Sequence, residues 1–186
     1  ECNFTDFNNS LGAIYMVRDP RNVVTSFAHH YNLSIGQAVS VMIDPKRWLV
    51  KTDLVYKTFM SSWSINYNSW KQMKNKVLFV KYEDLLNRKK TTLIKIFKFL
   101  DELGFKNLKL DMAKLNKVIE SSDFSTMQKL EKNEDFKEGV IDQETGKRKT
   151  FFRLGPKNDW KQILDNKYKE KIEIVFKKEM TELGYL

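Results

Sequence analysis

The sequence has 186 residues, of which 41% are hydrophobic and 31% are charged. This length and composition suit one folded domain over residues 1–186, and they exclude a chain that is disordered throughout. The net charge of +9 favours anionic partners such as nucleic acid, an anionic membrane or a phosphorylated cofactor. The lysines are spread along the chain, as on an ordinary solvated surface, so charge alone does not choose among these partners.

Cysteine content and hydropathy indicate where the protein resides. The chain contains one cysteine, Cys2, which excludes an intramolecular disulfide and fits a reducing compartment. No apolar run approaches the ~20 residues that a membrane span needs. The N-terminus lacks the basic and apolar regions of a signal peptide. We therefore predict a cytoplasmic protein with no membrane partner.

The first part of the chain predicts two strands and the helices between them. The apolar run that ends at Val17 is typical of a buried strand, and Pro20 fits the first turn of the following helix. Trp63 and Trp70 lie at helical spacing. The predicted elements are, in chain order, a strand at 11–17, helices at 22–31, 35–43 and 61–74, and a strand at 77–80.

The second part of the chain predicts helices and one long loop. A helix at 92–103 ends at Gly104, and Asp111 caps another helix. The inward residues of that helix are predicted to be Met112, Leu115, Val118 and Ile119. A polar segment at about 131–149 predicts a flexible loop, and residues 166–183 predict a final helix.

Both predicted strands are apolar throughout, which is typical of strands that are buried on both faces of a parallel sheet. Two strands do not make such a sheet. We therefore predict the α/β fold class, with a helix-rich chain that forms part of a larger parallel-sheet domain.

The turn at Arg18 is the first candidate site. In open α/β sheets, ligands bind outside the carboxyl ends of the strands, and an arginine there can hold a phosphate through two parallel hydrogen bonds. Ser26 lies eight residues further on, where its hydroxyl could donate to the same phosphate. The alternative is an Arg18 that pairs with Asp19 at the start of the helix. Further positive charge could come from Arg21, His29 and His30.

Known nucleotide-binding loops do not explain this turn. Neither G-x-x-x-x-G-K-[ST] nor G-x-G-x-x-G occurs in the sequence. Residues 15–26, Tyr-Met-Val-Arg-Asp-Pro-Arg-Asn-Val-Val-Thr-Ser, instead resemble the sulfotransferase segment that binds the 3′-phosphate of 3′-phosphoadenylyl sulfate. The resemblance implies that Arg18 and Ser26 contact that phosphate.

Two further segments resemble the adenine side of the same family's site. Residues 77–85, Val-Leu-Phe-Val-Lys-Tyr-Glu-Asp-Leu, are similar to a strand whose final tyrosine, here Tyr82, lies near the adenine. The segment that follows the Asp111 helix aligns Ser122, Phe124 and Met127 with the adenine pocket. The alternative for Tyr82 is an ordinary aromatic residue at the end of a strand. The alternative for Phe124 and Met127 is that they are core residues one helical turn apart.

Residues 151–161, Phe-Phe-Arg-Leu-Gly-Pro-Lys-Asn-Asp-Trp-Lys, resemble Phe-x-Arg-Lys-Gly-x-x-Gly-Asp-Trp-Lys of the cytosolic-type sulfotransferases. The resemblance implies that this segment completes the 3′-phosphate site. Leu154 stands in place of a lysine, and we expect this loss of a cation to weaken phosphate binding. Asn158 stands in place of a glycine, and we expect little effect because asparagine tolerates a left-handed backbone. The implied site residues are Phe151, Phe152, Arg153, Leu154 and Gly155.

The implied reaction is transfer of a sulfuryl group from 3′-phosphoadenylyl sulfate to a hydroxyl or amine of a small-molecule or saccharide acceptor. Adenosine 3′,5′-bisphosphate is the other product. In the family, the 5′-phosphosulfate loop and the catalytic histidine precede the strand at residue 15. We therefore expect this chain to hold the 3′-phosphate and adenine side of the site, with no catalytic residue and no metal ligand, and to be inactive alone.

Two other functions remain open at the level of sequence. One is a basic module that binds nucleic acid or another polyanion, although no recognisable nucleic-acid-binding module occurs and we predict no nucleic-acid partner. The other is a related P-loop phosphotransferase. The family's dimerisation motif is not recognisable after Lys161, so the oligomeric state stays open.

Overall fold

The computed structural model describes residues 8–49, 56–105, 109–133 and 145–186. The chain divides into two compact units. The first unit comprises Glu1–Arg18 and Ser69–Glu134, and the second comprises Asp19–Asn68 and Asp135–Leu186. The single domain expected from the length of the chain stays a prediction.

The strands and helices of the described residues follow one another as a mixed α/β chain. The strands are β1 (Gly12–Val17), β2 (Trp48–Leu49), β3 (Thr58–Phe59) and β4 (Lys76–Lys81). The helices are α1 (Pro20–His30), α2 (Ile35–Ile43), α3 (Trp63–Lys71), α4 (Tyr82–Asn87), α5 (Lys89–Glu102), α6 (Met112–Ser121), α7 (Phe124–Asn133), α8 (Trp160–Ile163), α9 (Asn166–Val175) and α10 (Lys177–Glu182). A short 3₁₀ turn, Gly155–Lys157, precedes α8.

A parallel pair of strands forms the centre of the first unit. β1 pairs with β4, and Val17 lies opposite Lys81. This arrangement confirms the predicted parallel pairing. The prediction that β1 is buried on both faces is wrong, because Ile14 is 41% exposed and Met16 is 53% exposed while Val17 is buried. The inward residues of β1 alternate with outward ones, so only one face of this strand is packed.

The helices of the first unit depart from the sequence predictions at their ends. Asp111 caps α6 as predicted, since its carboxylate accepts from the backbone N–H of Ala113 at 2.9 Å. The prediction that Met112 and Val118 face inward is wrong, because their side chains are 41% and 51% exposed, whereas Leu115 is buried as predicted. α7 extends to Asn133, so the first three residues of the predicted loop are helical, and residues 134–144 lie outside the described residues.

The second unit has one hydrophobic core, to which α1, α2, α9 and α10 contribute. Its buried members are Val24, Ala28, Ala38, Val39, Met42, Leu164, Ile172, Phe176 and Met180. Full burial of one large apolar side chain contributes ~1.5–3 kcal/mol, so this cluster dominates the stability of the unit. The core holds α1 in place, and α1 carries the polar residues of the candidate site.

The final helix predicted at 166–183 is wrong as a single helix. α9 ends at Val175, and α10 begins at Lys177. Phe176, between them, has φ −107° and ψ 18°, which interrupts the helix, and its side chain is fully buried. The amphipathic pattern spans the break because Ile172, Phe176 and Met180 all face the same core.

Candidate functional site

Two predicted site residues meet at the carboxyl end of the sheet in the first unit. Arg18 directly follows β1, and Tyr82 directly follows β4. Because Val17 is in register with Lys81, the parallel pairing makes the next residue of each strand a neighbour. The guanidinium carbon of Arg18 lies 4.3 Å from the centroid of the Tyr82 ring, within the range of a cation–π interaction. The ring therefore helps to fix the orientation of the guanidinium.

The sequence segment assigned to the adenine pocket lies on the end of α6 and on α7, also in the first unit. Ser122 is exposed at the end of α6, and its backbone carbonyl accepts from Lys89 Nζ at 3.4 Å. Phe124 and Met127 are half-buried and three residues apart on α7, so their side chains share one face. Their role beside an adenine stays a prediction.

The arginine three residues after Arg18 serves the fold of the second unit. Arg21 donates to Asp19 at 2.7 Å and to Glu173 at 2.5 Å, and it lies 4.1 Å from the centroid of the Trp160 ring. Burial would lower the pKa of Arg21, but its hydrogen bonds and charge interactions with Asp19 and Glu173 raise the pKa above its ordinary value. Two carboxylates thus neutralise Arg21, and it adds no available charge for a phosphate. The alternative considered from the sequence was an ion pair between Asp19 and Arg18. In the structure, Asp19 forms an ion pair with Arg21.

A cavity of about 700 Å³ lies entirely within the second unit, beside α1. Three cations line it, and so do Thr25 and His29 of α1. The cations are Lys149, Arg153 and Lys157. Among the described residues that line the cavity there is no carboxylate. The structure therefore brings Arg153 and Leu154, two predicted site residues, together in the lining of one cavity, whereas Ser26 lies on α1 and is not among the residues that line it.

Ser26 is exposed on α1, and a hydrogen bond with Asn158 connects it to the 151–161 segment. The Nδ2 of Asn158 donates to Ser26 Oγ at 2.9 Å and to the carbonyl oxygen of Asn22 at 3.0 Å. The Oδ1 of Asn158 accepts from Thr25 Oγ1 at 2.8 Å. The left-handed backbone expected at Asn158 is wrong, since its φ is −74° and its ψ is 85°. The side chain of Asn158 is buried and makes these three hydrogen bonds, and the little effect expected of this residue on phosphate binding stays a prediction.

The remaining residues of the 151–161 motif form a compact turn. Gly155 has a φ of +49°, a left-handed conformation that glycine adopts without strain. Phe151 and Phe152 pack edge to face with ring centroids 5.2 Å apart. The Phe151 ring also lies 6.4 Å from the His30 ring. His30 therefore contacts an aromatic side chain of this motif.

His29 has an environment that disfavours its cationic form. Burial lowers the pKa of His29, and the charges of Arg153 and Lys149 lower it further, against the opposite effect of a backbone hydrogen bond to Thr150. The Nε2 atom lies 3.3 Å from the carbonyl oxygen of Thr150. Since a carbonyl only accepts, the tautomer that makes this hydrogen bond carries its proton on Nε2. The neighbouring cations are close enough to influence titration, so the cavity is electropositive.

Sequence reasoning missed the lysines of this cavity. Lys149 and Lys157 resemble the many solvated lysines of the chain, and no spacing rule sets them apart. Lys157 does lie two residues after Gly155, within the recognised motif, and that position was the one available signal. The cavity keeps three cations although Leu154 replaces a lysine. The weaker phosphate binding expected from Leu154 stays a prediction.

Within the described ranges, no group of three histidine, cysteine, aspartate or glutamate side chains could hold a metal ion. None of the described helices has both the length and the apolar character required to cross a membrane.

Comparison with known proteins gives consistent matches along the chain. Residues 6–184 match the sequence model of a family described as "Sulfotransferase domain". The amine sulfotransferase of Oryctolagus cuniculus is 25% identical over 178 residues, which cover 93% of this chain and 56% of that protein. Cytosolic sulfotransferase 13 of Arabidopsis thaliana is 26% identical over 178 residues, which cover 93% of this chain and 52% of that protein.

A solved structure matches the fold as well. The crystal structure of mouse sulfotransferase SULT7A1 complexed with PAP superposes with a TM-score of 0.63 and 25% sequence identity. The match covers 90% of this chain and 58% of that chain. The chain thus spans about half the length of the curated relatives that it matches.

Proposed function

Because the chain belongs to the sulfotransferase family, we propose that it forms the 3′-phosphate and adenine side of a site for 3′-phosphoadenylyl sulfate. In this proposal the full-length protein transfers the sulfuryl group to a hydroxyl or amine of a small-molecule or saccharide acceptor. Adenosine 3′,5′-bisphosphate is the nucleotide product. A cytoplasmic location is part of the proposal, and the similarity to a cytosolic sulfotransferase supports it.

The observation that carries this proposal is the electropositive cavity of the second unit. Lys149, Arg153 and Lys157 line it, and its described lining residues include no carboxylate. An ionised phosphate is a hydrogen-bond acceptor only, so a lining of cationic donors suits it. The planar guanidinium of Arg153 can hold two phosphate oxygens at once, whereas the lysines act as point charges.

The backbone of the 3₁₀ turn supports the same ligand. Gly155, with its φ of +49°, begins this turn and has no Cβ to keep an anion away from the backbone. Neither Gly155 nor Ser26 is among the described residues that line the cavity, so the phosphate contacts proposed for them rest on the sequence resemblance.

In the first unit, the proposal assigns the phosphate contact to Arg18 and the adenine contact to Tyr82. The ring of Tyr82 lies against the guanidinium of Arg18, which keeps the donor atoms of Arg18 oriented at the strand end. Phe124 and Met127, with their shared face on α7, would flank the base, because an aromatic ring and a thioether both pack well on a purine. Ser122 would contribute a polar edge to this pocket.

When bound, 3′-phosphoadenylyl sulfate supplies the sulfuryl group. The residues of this chain bind and orient the nucleotide, and we assign to none of them the role of acid or base. Binding energy from a remote phosphate can be used to position a reacting group, which is the contribution proposed for Arg18, Ser26 and Arg153.

Binding of nucleic acid or another polyanion is the second candidate, and the same cavity and the net charge of +9 motivate it. A polyanion would bind with strong salt dependence and without preference for a 3′-phosphorylated nucleotide. Membership of the sulfotransferase family favours the first candidate, and it also disfavours a P-loop phosphotransferase.

The proposed site is tested by thermal denaturation of the full-length protein with adenosine 3′,5′-bisphosphate and with adenosine 5′-monophosphate. A ligand at 100 times its Kd stabilises the folded state by ~2.7 kcal/mol, which is a shift of several degrees in Tm. We expect the bisphosphate to raise Tm more than the monophosphate does. Arg18→Ala should remove this difference, whereas Arg88→Ala, an exposed arginine in the same unit, should keep it. Equal shifts for the two nucleotides in the wild type would refute the proposed site.

A further inference from the structure

His29 is the one histidine among the described residues that line the cavity of the second unit. It is half-buried on α1, and Thr25 lines the same cavity one helical turn earlier. The Nε2 atom of His29 lies 3.3 Å from the carbonyl oxygen of Thr150, which holds the ring from outside the helix. His29 is therefore a titratable group at a defined place beside any ligand that enters the cavity.

The hydrogen bond to Thr150 determines where His29 can bind a second proton. In the neutral ring the proton lies on Nε2, because a carbonyl oxygen only accepts. A further proton from solvent can then bind only at Nδ1. It changes Nδ1 from an acceptor into a donor and gives the ring a positive charge. Both changes suit an ionised phosphate, which accepts hydrogen bonds and carries negative charge.

The described groups around His29 that carry or can take charge are three cations and one histidine. They are Lys149, Arg153 and Lys157, which line the same cavity, and His30, which follows His29 on α1. Burial lowers the pKa of His29, and the charges of Arg153, Lys149 and His30 lower it further, against the hydrogen bond to the backbone. With a pKa below the ordinary ~6.5, His29 is largely uncharged at neutral pH.

An anion in the cavity favours the charged form of His29. An opposite charge within ~4–6 Å raises the pKa of a histidine by ~1–3 pH units. We propose that His29 takes up a proton from solvent when the 3′-phosphate enters the cavity, and that it thereby becomes a further phosphate-binding residue. The inference rests on the proposed function, since it requires that this cavity binds the phosphate.

This coupling makes the affinity for the phosphate depend on pH. The proton and the phosphate strengthen the binding of each other by the same factor. If the phosphate raises the pKa of His29 by ~1 pH unit, protonated His29 binds the phosphate ~10 times more tightly than neutral His29 does. The affinity should therefore rise by up to this factor as the pH falls through the bound pKa toward the lower pKa of the free protein. Above both values His29 should have no such effect.

Isothermal titration calorimetry on the full-length protein measures this proton directly. Adenosine 3′,5′-bisphosphate is titrated in two buffers that differ in ionisation enthalpy, and the difference between the heats gives the number of protons taken up. A phosphate itself titrates near pH ~6, so the wild type is compared with His29→Gln, in which the ligand makes the same contribution. The wild type should take up a larger fraction of a proton than His29→Gln. It should also gain up to ~tenfold in affinity over this variant between mildly alkaline and mildly acidic pH.

Two further variants and a second nucleotide serve as controls. His29→Lys carries its charge at mildly alkaline pH as well, so it should bind the bisphosphate more tightly than the wild type there, without the proton uptake. His30→Gln removes the neighbouring histidine, which is not among the described lining residues, and should keep the proton uptake. Adenosine 5′-monophosphate lacks the 3′-phosphate and should give equal uptake in the wild type and His29→Gln. If His29→Gln does not fold, His29→Lys carries the comparison.

The inference is overturned if the wild type prefers the bisphosphate over the monophosphate and takes up no more protons with it than His29→Gln does. It is also overturned if His30→Gln abolishes the uptake, because the other histidine is then the group that titrates. An equal excess of uptake with the monophosphate would overturn it as well, since the 3′-phosphate is then not the cause. A wild type without any preference for the bisphosphate would instead refute the proposed function, and the inference would fall with it.

Discussion

Two arginines of the second unit, Arg21 and Arg153, lie beside different kinds of residue. Arg21 is buried at the start of α1, where Asp19 and Glu173 neutralise it. Arg153 is exposed and lines a cavity with two lysines. Both belong to motifs that resemble the phosphate-binding segments of sulfotransferases. The sequence alone therefore does not distinguish which of the two binds an anion.

The comparison separates an arginine that stabilises the fold from one that is placed for a ligand. Carboxylates that pair with a buried cation neutralise its charge within the protein. Removal of that cation leaves the buried carboxylates without their partner. Lys149, Arg153 and Lys157 line one cavity, and cations that are grouped in this way favour an anionic ligand such as a phosphate.

The largest expected effect is on stability, at Arg21. Arg21→Ala leaves the buried Asp19 carboxylate without this partner, and breaking a buried ion pair in this way costs ~3–5 kcal/mol of the free energy of unfolding. Urea denaturation of the full-length protein measures the loss. Arg88→Ala, which removes an exposed ion pair with Asp84, should change stability by less than ~0.5 kcal/mol. Equal losses in the two variants would contradict the structural role of Arg21.

A smaller effect is expected on affinity, at Leu154. Leu154→Lys adds a cation to the cavity where the family resemblance has a lysine, so the affinity for adenosine 3′,5′-bisphosphate should rise severalfold. The gain should shrink as salt is added, because it is electrostatic. Calorimetry at low and high salt measures both changes, and Ile163→Lys places the same charge on another lining residue as a control for position.

The smallest effect is a pH dependence of stability, at His29. An unperturbed histidine titrates near pH ~6.5, and burial together with Arg153 and Lys149 lowers the pKa of His29 in the folded state. The folded protein therefore binds fewer protons at His29 than the unfolded chain does. The wild type should lose stability, relative to His29→Gln, as the pH falls through the unfolded pKa toward the lower folded value. Urea denaturation at neutral and mildly acidic pH tests this, and parallel curves for the two proteins would contradict it.

Local patterns predicted the parts of the fold and site that depend on neighbouring residues. The apolar runs located β1 and β4, and their parallel pairing and the α/β fold class are confirmed by the strand register and by the likeness to SULT7A1. The contact between Arg18 and Tyr82 follows from that register. The sequence resemblance to sulfotransferases is confirmed by the family match over residues 6–184.

Features that depend on distant residues could not be predicted in this way. Asn158 contacts Asn22 across 136 residues of sequence, and only the fold reveals that its amide is buried against α1. The break at Phe176 escaped detection because its neighbours continue the same apolar periodicity. Lys157 looked like any other solvated lysine until the cavity placed it beside Arg153.

The central claim is that the cavity beside α1 binds the 3′-phosphate, and Arg153→Ala tests it most directly. Calorimetry on the full-length protein would compare adenosine 3′,5′-bisphosphate with adenosine 5′-monophosphate for the wild type, Arg153→Ala and Arg148→Ala. Arg148 is exposed in the same segment and does not line the cavity. Loss of a hydrogen bond between charged groups predicts a roughly tenfold to hundredfold fall in bisphosphate affinity for Arg153→Ala alone, with the monophosphate unaffected. An unchanged bisphosphate affinity in Arg153→Ala would contradict the account.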